Sequence, residues 1–166
     1  MKRLWILESN PTDARLKIEG GCVIQTLRAR MGTGGNNEPL VMEGDDMGML
    51  VRRLTPGECM QLQGYPADWC NIEGATDSKK YKAAGNSIAI PQWWWLFNRL
   101  KPYMPENPKL GSLFDGIAGF PYAFEELHGK GSARWASEIE EFPIKVTKYH
   151  FPEPDFSDYM NKPEGD

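Results

Sequence analysis

Two glycines three residues apart, Gly116 and Gly119, follow a short apolar run, and the acid Glu138 stands 22 residues beyond the first. That arrangement has a chemical use if the run is a strand and the glycines open a helix. Glycines let a ligand approach the backbone closely. The helix start presents unpaired N–H groups to an anion, and an acid ending a second strand can accept hydrogen bonds from both hydroxyls of a ribose. The same spacing also serves as a purely structural β-α-β turn. Other chemistry is thinly supplied. Cys22, Cys59 and Cys70 form no C-x-x-C pair, and His128 and His150 are the only histidines, which argues against a disulfide framework or a Cys/His zinc site. Cys59, beside Met60 and Leu62, reads as a buried structural thiol.

The elements that must hold these residues can be read from punctuation and period. Leu110–Phe114 is a short buried-strand candidate, and Asp115–Gly119 a tight turn. Phe120, Ala123, Phe124 and Leu127 follow helical spacing. Gly129–Gly131 ends that helix, Ala133–Ser137 reads as a second strand, and about Glu141–His150 as a further helix. Together they form a β-α-β unit, the opening of a parallel α/β sheet. Upstream, Thr55-Pro56-Gly57-Glu58 is a capping box with Pro at the first helical position. It predicts a helix to about Leu62, stopped by Gly64. A second helix is expected over Ser87–Leu100. Residues 1–50 read as loop-rich, with strand-like runs at Cys22–Leu27 and Pro39–Met42 and a Gly/Asn turn cluster at Met31–Asn37. Between the halves, prolines 102, 105 and 108 favour an extended spacer.

Composition sets the frame. Apolar residues make up 40% and charged residues 25% of 166, which is ordinary for a globular chain. The 17 glycines and 13 prolines predict many turns. Net charge is −4, divided as +2 over residues 1–110 and −6 over 111–166. That excludes a simple nucleic-acid coat but permits a polyanion on the N-terminal side. The longest apolar run, Ile88–Phe97, is far short of the ~18 residues of a membrane helix. The start, Lys2-Arg3 and four apolar residues, is too short for a signal peptide. A soluble intracellular protein is the expectation. Trp93-Trp94-Trp95 would sweep about 200° of a helix surface, so that helix is either central or meets another chain.

The local sequences add more. Leu113-Phe114-Asp115-Gly116-Ile117-Ala118-Gly119-Phe120 resembles motif I of the cytosine-5 DNA methyltransferases, and Trp135-Ala136-Ser137-Glu138-Ile139-Glu140 resembles motif II. Arg52–Pro66 resembles motif IX, and Tyr81-Lys82-Ala83-Ala84-Gly85-Asn86-Ser87-Ile88 motif X. Gln25-Thr26-Leu27 with the Gly-rich run resembles the Thr-Leu element and recognition loop of the target-recognition domain, and Lys162–Asp166 resembles motif III. The family's usual order runs from I to X. Here IX and X precede I and II, which looks like a circular permutation. The Pro-Cys of motif IV, the Glu-Asn-Val of motif VI and the Gln-x-Arg-x-Arg of motif VIII have no counterpart.

The resemblance implies a partial Rossmann-like S-adenosylmethionine-dependent methyltransferase fold of α/β class with a loop-rich N-terminal target-recognition fragment. It divides the chain into a recognition fragment (1–50), a motif IX/X helical segment (51–100), a Pro-rich spacer (101–109) and the start of the cofactor domain (110–166). Phe114, Asp115, Gly116, Ile117, Ala118 and Gly119 would form the cofactor loop. Ala118 stands where the family has Gly, a departure that matters if the position needs positive φ. Glu138 would bind the ribose, or simply begin a loop. Ile139 would pack on adenine, or on the core. Asn86 and Ser87 would contact the cofactor's amino-acid end, or cap the following helix. Thr26, Leu27, Arg28, Arg30, Gly34 and Gly35 would lie along double-stranded DNA. No catalytic residue can be assigned. The implied function is one portion of a cytosine-5 methyltransferase of a restriction-modification system, in the cytoplasm of a bacterial or phage-infected cell. A complementary chain would carry motifs IV to VIII. The alternative is a non-catalytic DNA- or cofactor-binding remnant. A nicotinamide-binding Rossmann enzyme is a distant third, because the turn lacks the full G-x-G-x-x-G.

Overall fold

The computed structural model describes residues 3–10, 13–17, 26–29, 31, 39–45 and 48–152. Strands β1 (Arg3–Asn10), β2 (Asp13–Lys17), β3 (Pro39–Asp45) and β4 (Gly48–Arg53) form an antiparallel sheet in the order β2-β1-β3-β4. This corrects the loop-rich reading of residues 1–50. The last pairs of the neighbouring strands are Asn10 with Asp13 and Asp45 with Gly48. Charged residues inside the strands, such as Glu8 and Glu43, hide the alternation that announces a strand. Strand β4 also runs across the expected boundary at 50/51. Thr26 and Leu27 are not in a strand. The rest of that expected run, Cys22–Gln25, lies outside the described residues, as do Arg30, Gly34, Gly35 and Lys162–Asp166.

Helix α1 (Pro56–Gln63) forms as its capping box dictates: Thr55 Oγ1 accepts from Glu58 N, and Glu58 accepts from Thr55 N. Gly64 closes it at φ +91°, with the cradle so tight that a Cβ there would lie 2.7 Å from Pro91 Cδ. Helix α2 (Asp77–Asn86) has no counterpart in the sequence reading. Its buried side chains are only Ala83 and Ala84, too small to make a visible apolar stripe. Helix α3 begins at Ile90 rather than Ser87 and runs to Leu100. The spacer is not wholly extended, because Lys101–Tyr103 makes a 3-10 turn straight off α3.

Beyond it, β5 (Leu110–Leu113), α4 (Gly119–His128) and β6 (Ala133–Ser137) form the expected right-order unit. The two strands pair in parallel, and α5 (Glu141–His150) follows. Packing ignores the spacer. One core joins Met60, Tyr65 and Ile90 to Ile117, Phe124 and Val146, and Trp69 Nε1 donates to Ile117 O at 2.9 Å. The expected boundary at 101–109 thus separates motifs in sequence but not hydrophobic surfaces. Of the three tryptophans, Trp93 packs edge-on against Phe120 (4.5 Å) and Trp94 is half-buried. Trp95 is exposed, with the Arg99 guanidinium 4.8 Å above its ring.

Candidate cofactor site

The site is built where β5 ends. Phe114 (φ +53°), Gly116 (φ +65°) and Ala118 (φ +66°) all adopt the left-handed conformation, three residues in a stretch of five. Two of them are not glycine, and each costs about 1–2 kcal/mol, so the surrounding contacts must hold the loop. Glu138 supplies one such hold from the end of β6. Its Oε2 accepts from Gly116 N at 2.7 Å, and its Oε1 from Ile139 N (2.7 Å) and Glu140 N (3.0 Å). Asp115 supplies another from inside. Its Oδ1 accepts from Ser112 Oγ at 2.5 Å, its own amide donates to Ser137 O, and the amides of Phe120 and Ala118 support its charge. Burial outweighs these contacts and pushes the Asp115 carboxyl up to about 6.

This geometry sorts the expected ligands. Phe114 and Ile139 are 83% and 74% exposed, large apolar side chains at the mouths of adjacent parallel strands. Gly116, two residues after Phe114, has nothing within 4 Å of where a Cβ would stand. An open glycine turn, two apolar faces and a carboxylate suit a nucleoside, and S-adenosylmethionine fits that set. Asp115, Ile117 and Ala118 are buried, so these three can offer a ligand only their backbone. The loop has no period from which their inward direction could be read.

Asn86 and Ser87 end α2 rather than begin α3. Ser87 is the C-cap of α2, its Oγ donating to Ala84 O at 3.1 Å, and the N-cap of α3 is Ala89. The capping alternative for these two is thereby corrected. Asn86 is exposed and shares a cavity of about 260 Å³ with Lys79, Lys82, Glu140, Phe142 and Lys145. Lys82 Nζ meets Glu140 Oε2 at 2.7 Å across it, tying α2 to the residues that follow Glu138. Tyr65, which sequence reasoning passed over, reaches the start of α4: a Cβ on Gly119 would lie 2.3 Å from its hydroxyl.

Of the expected DNA contacts, Thr26 and Arg28 are exposed, while Leu27 is 5% exposed and anchors the segment in the core. The segment rests on α2 at Gly85. A Cβ there would stand 2.2 Å from Ala29 N and Arg28 C, both backbone atoms that cannot yield. Cys59 and Cys70 are buried, and burial pushes both thiols up to about 12, which leaves neither as a thiolate nucleophile. Among the described residues, no group of three His, Cys, Asp or Glu side chains could hold a metal ion, and no helix is long and apolar enough to cross a membrane.

Comparison with known proteins identifies the family through the part of the chain upstream of β5. Residues 19–101 match the C-5 cytosine-specific DNA methylase family. Type II methyltransferase M.Bsp6I of Bacillus sp. (strain RFL6) is 48% identical over 69 residues, 42% of this chain and 20% of that protein. DNA (cytosine-5)-methyltransferase DRM1 of Arabidopsis thaliana is 31% identical over 88 residues, 53% of this chain and 14% of its own length. Type II methyltransferase M.SsoII of Shigella sonnei is 35% identical over 66 residues, covering 40% and 16%. The chain therefore spans a fifth or less of the length of these relatives. With half of its residues inside the family match, the chain belongs to the C-5 cytosine-specific DNA methylases.

Proposed function

We propose that this chain is one portion of a DNA (cytosine-5-)-methyltransferase, carrying the S-adenosylmethionine half-site and part of the target-recognition region in permuted order. The observation that carries the reading is the Glu138 carboxylate bound to Gly116 N, with Phe114 and Ile139 both exposed at the ends of the paired strands. S-adenosylmethionine supplies the methyl group. Glu138 holds its ribose, Ile139 packs on its adenine, Phe114, Gly116 and Gly119 form the loop around its methionine half, and Asn86 and Ser87 meet its amino-acid end. Thr26, Arg28 and the neighbouring Arg30, Gly34 and Gly35 lie along double-stranded DNA. A two-stranded parallel sheet is marginal alone. Further strands of the Rossmann-like sheet, and the Pro-Cys nucleophile that attacks a flipped cytosine, come from a complementary chain. The system is soluble and works in the cytoplasm of a bacterial or phage-infected cell.

Titration calorimetry of the partnered complex tests the site. Glu138→Ala should weaken S-adenosylmethionine binding by roughly 10- to 150-fold, the worth of charge-assisted hydrogen bonds. Glu140→Ala removes only a half-exposed ion pair with Lys82 and should change it by less than about twofold. Equal effects would mean that the motif II assignment is wrong. The buried thiols favour a second reading, a non-catalytic remnant. Tritiated-methyl transfer to DNA separates the two. The first reading requires transfer when the complementary chain is added and none without it.

A further inference from the structure

Strand β4 ends the order β2-β1-β3-β4, and among the described residues no strand pairs with its outer edge. Three successive residues on it are large, apolar and exposed: Met49 (60%), Leu50 (60%) and Val51 (50%). Edge strands are ordinarily guarded by charge, proline or a bulge, because their free N–H and C=O groups template further pairing. Met49–Val51 carries none of these guards. Alternation puts Leu50 on one face of the sheet and Met49 and Val51 on the other. A partner lying on either face would cover only one of these sets, whereas a strand added along the edge touches both. The nearest charge on the strand is already neutralised, since Arg52 is held by Glu43 and Glu58 of its own chain.

We propose that β4 pairs antiparallel with β4 of a second copy of this chain, about a two-fold axis through Leu50. Successive antiparallel pairs alternate between two hydrogen-bonding types, so such an axis must pass through a residue paired with its own counterpart. The apolar residues offer three choices. An axis at Met49 sets Leu50 against the partner's Gly48. One at Val51 sets Leu50 against the partner's Arg52 and Met49 against the partner's Arg53. Only an axis at Leu50 matches apolar with apolar throughout. Leu50 then meets the partner's Leu50, Met49 meets the partner's Val51, and Gly48 meets the partner's Arg52, so no like charges face one another. The occupant is a second copy because the strand complements itself in this register. Five pairs at ~3.4 Å per residue span about 17 Å, so the contact is small and its dissociation constant is roughly 1–100 μM. Strand β4 lies in a different sheet from the loop after β5, and the pairing stands whether or not that loop binds a nucleoside.

Sedimentation velocity of the full chain tests the pairing. The parent should pass from monomer to dimer as its concentration rises to about 0.2 mM. Leu50→Lys sets two ammonium groups against each other on the axis and should raise the dissociation constant at least roughly tenfold. Cysteine substitutions read the register, and they decide the matter if Leu50→Lys fails to fold. They are made with Cys22→Ser, since Cys59 and Cys70 are already buried. Oxidised Leu50→Cys should run as a cross-linked dimer, because directly opposed residues lie within disulfide range. Met49→Cys and Val51→Cys should each cross-link little alone and readily when mixed. A folded parent that stays monomeric throughout that range overturns the proposal. So does a dimer that Trp95→Ala dissolves and Leu50→Lys leaves intact, because the copies then meet through the exposed tryptophan of α3. Cross-linking of Met49→Cys alone as readily as Leu50→Cys would show unregistered collision of edges and would overturn it as well.

Discussion

Asp115 and Glu138 hold one loop from opposite sides, and burial treats them differently. Asp115 is 7% exposed and its carboxyl is raised from 3.8 to about 6. The folded state therefore binds this proton more tightly than the unfolded chain. The stability it contributes is full below about 4 and is lost as pH rises through about 6. Asp115→Asn should flatten the pH dependence of denaturant unfolding between pH 4 and 6, with the Ser112 hydrogen bond kept by the amide oxygen. An unchanged slope would mean that the carboxyl ionises as freely as in water. The residue types of this loop were legible in the sequence, and so was the cost of Ala118, because a glycine turn demands positive φ. Which side chains point inward was not legible. Five irregular residues have no repeat, so Asp115 and Phe114 look alike as ligands although one is buried and the other 83% exposed.

At the scale of elements, Arg52 of β4 joins the N-terminal sheet to helix α1. Its guanidinium grips both oxygens of Glu58 on α1 (2.7 and 2.8 Å) and also meets Glu43 on β3. The bond to Arg52 holds Glu58 well down, at about 2, against an ordinary 4.5. This contribution is full above about 4.5 and is lost as pH falls through about 2. Both side chains are near 30% exposed, and solvent screening leaves about 1 kcal/mol of it at neutral pH. Arg52→Met should cost about that much in urea unfolding at pH 7. The difference from the parent should shrink between pH 4.5 and 2 and weaken in high salt. A gap that persists at pH 2 would assign the loss to packing instead. Helix α1 was legible to within a residue of its end, about Leu62 expected against Gln63 observed, because caps are local chemistry. Helix α2 was not: Ala83 and Ala84 are its whole buried face, and its neighbours rather than its period decide it.

At the scale of the molecule, one core crosses the Pro-rich segment. Trp69 is the rivet, stacked on His150 at 3.5 Å, donating to Ile117 O, and accepting through its own carbonyl from His150 Nε2 at 2.8 Å. Residues 48–152 should therefore unfold together. Trp69→Phe should lower stability by about 2–3 kcal/mol through the orphaned carbonyl and lost ring contact. In hydrogen exchange, α1 and α5 should lose protection in parallel. Loss confined to one of them would restore the two-domain division. Prolines in the segment suggested that division because composition reports local stiffness, whereas the partner of an apolar face is a tertiary fact. Pro102 sits comfortably in the first turn of a 3-10 helix.

Under the recognition reading proposed above, the contact at Gly85 bears on how targets could be exchanged. The chain at Arg28 and Ala29 lies so close to α2 that a single methyl group on Gly85 would collide with its backbone. A chimera that receives only a foreign loop inherits this helix end without the chain path that fits it. Specificity should therefore transfer as a cassette of two pieces, the segment through residue 29 and the end of α2 through Asn86. Grafts that keep the glycine but alter the path, or keep the path but add a side chain at position 85, should misplace Asn86 along with Arg28 and Ala29.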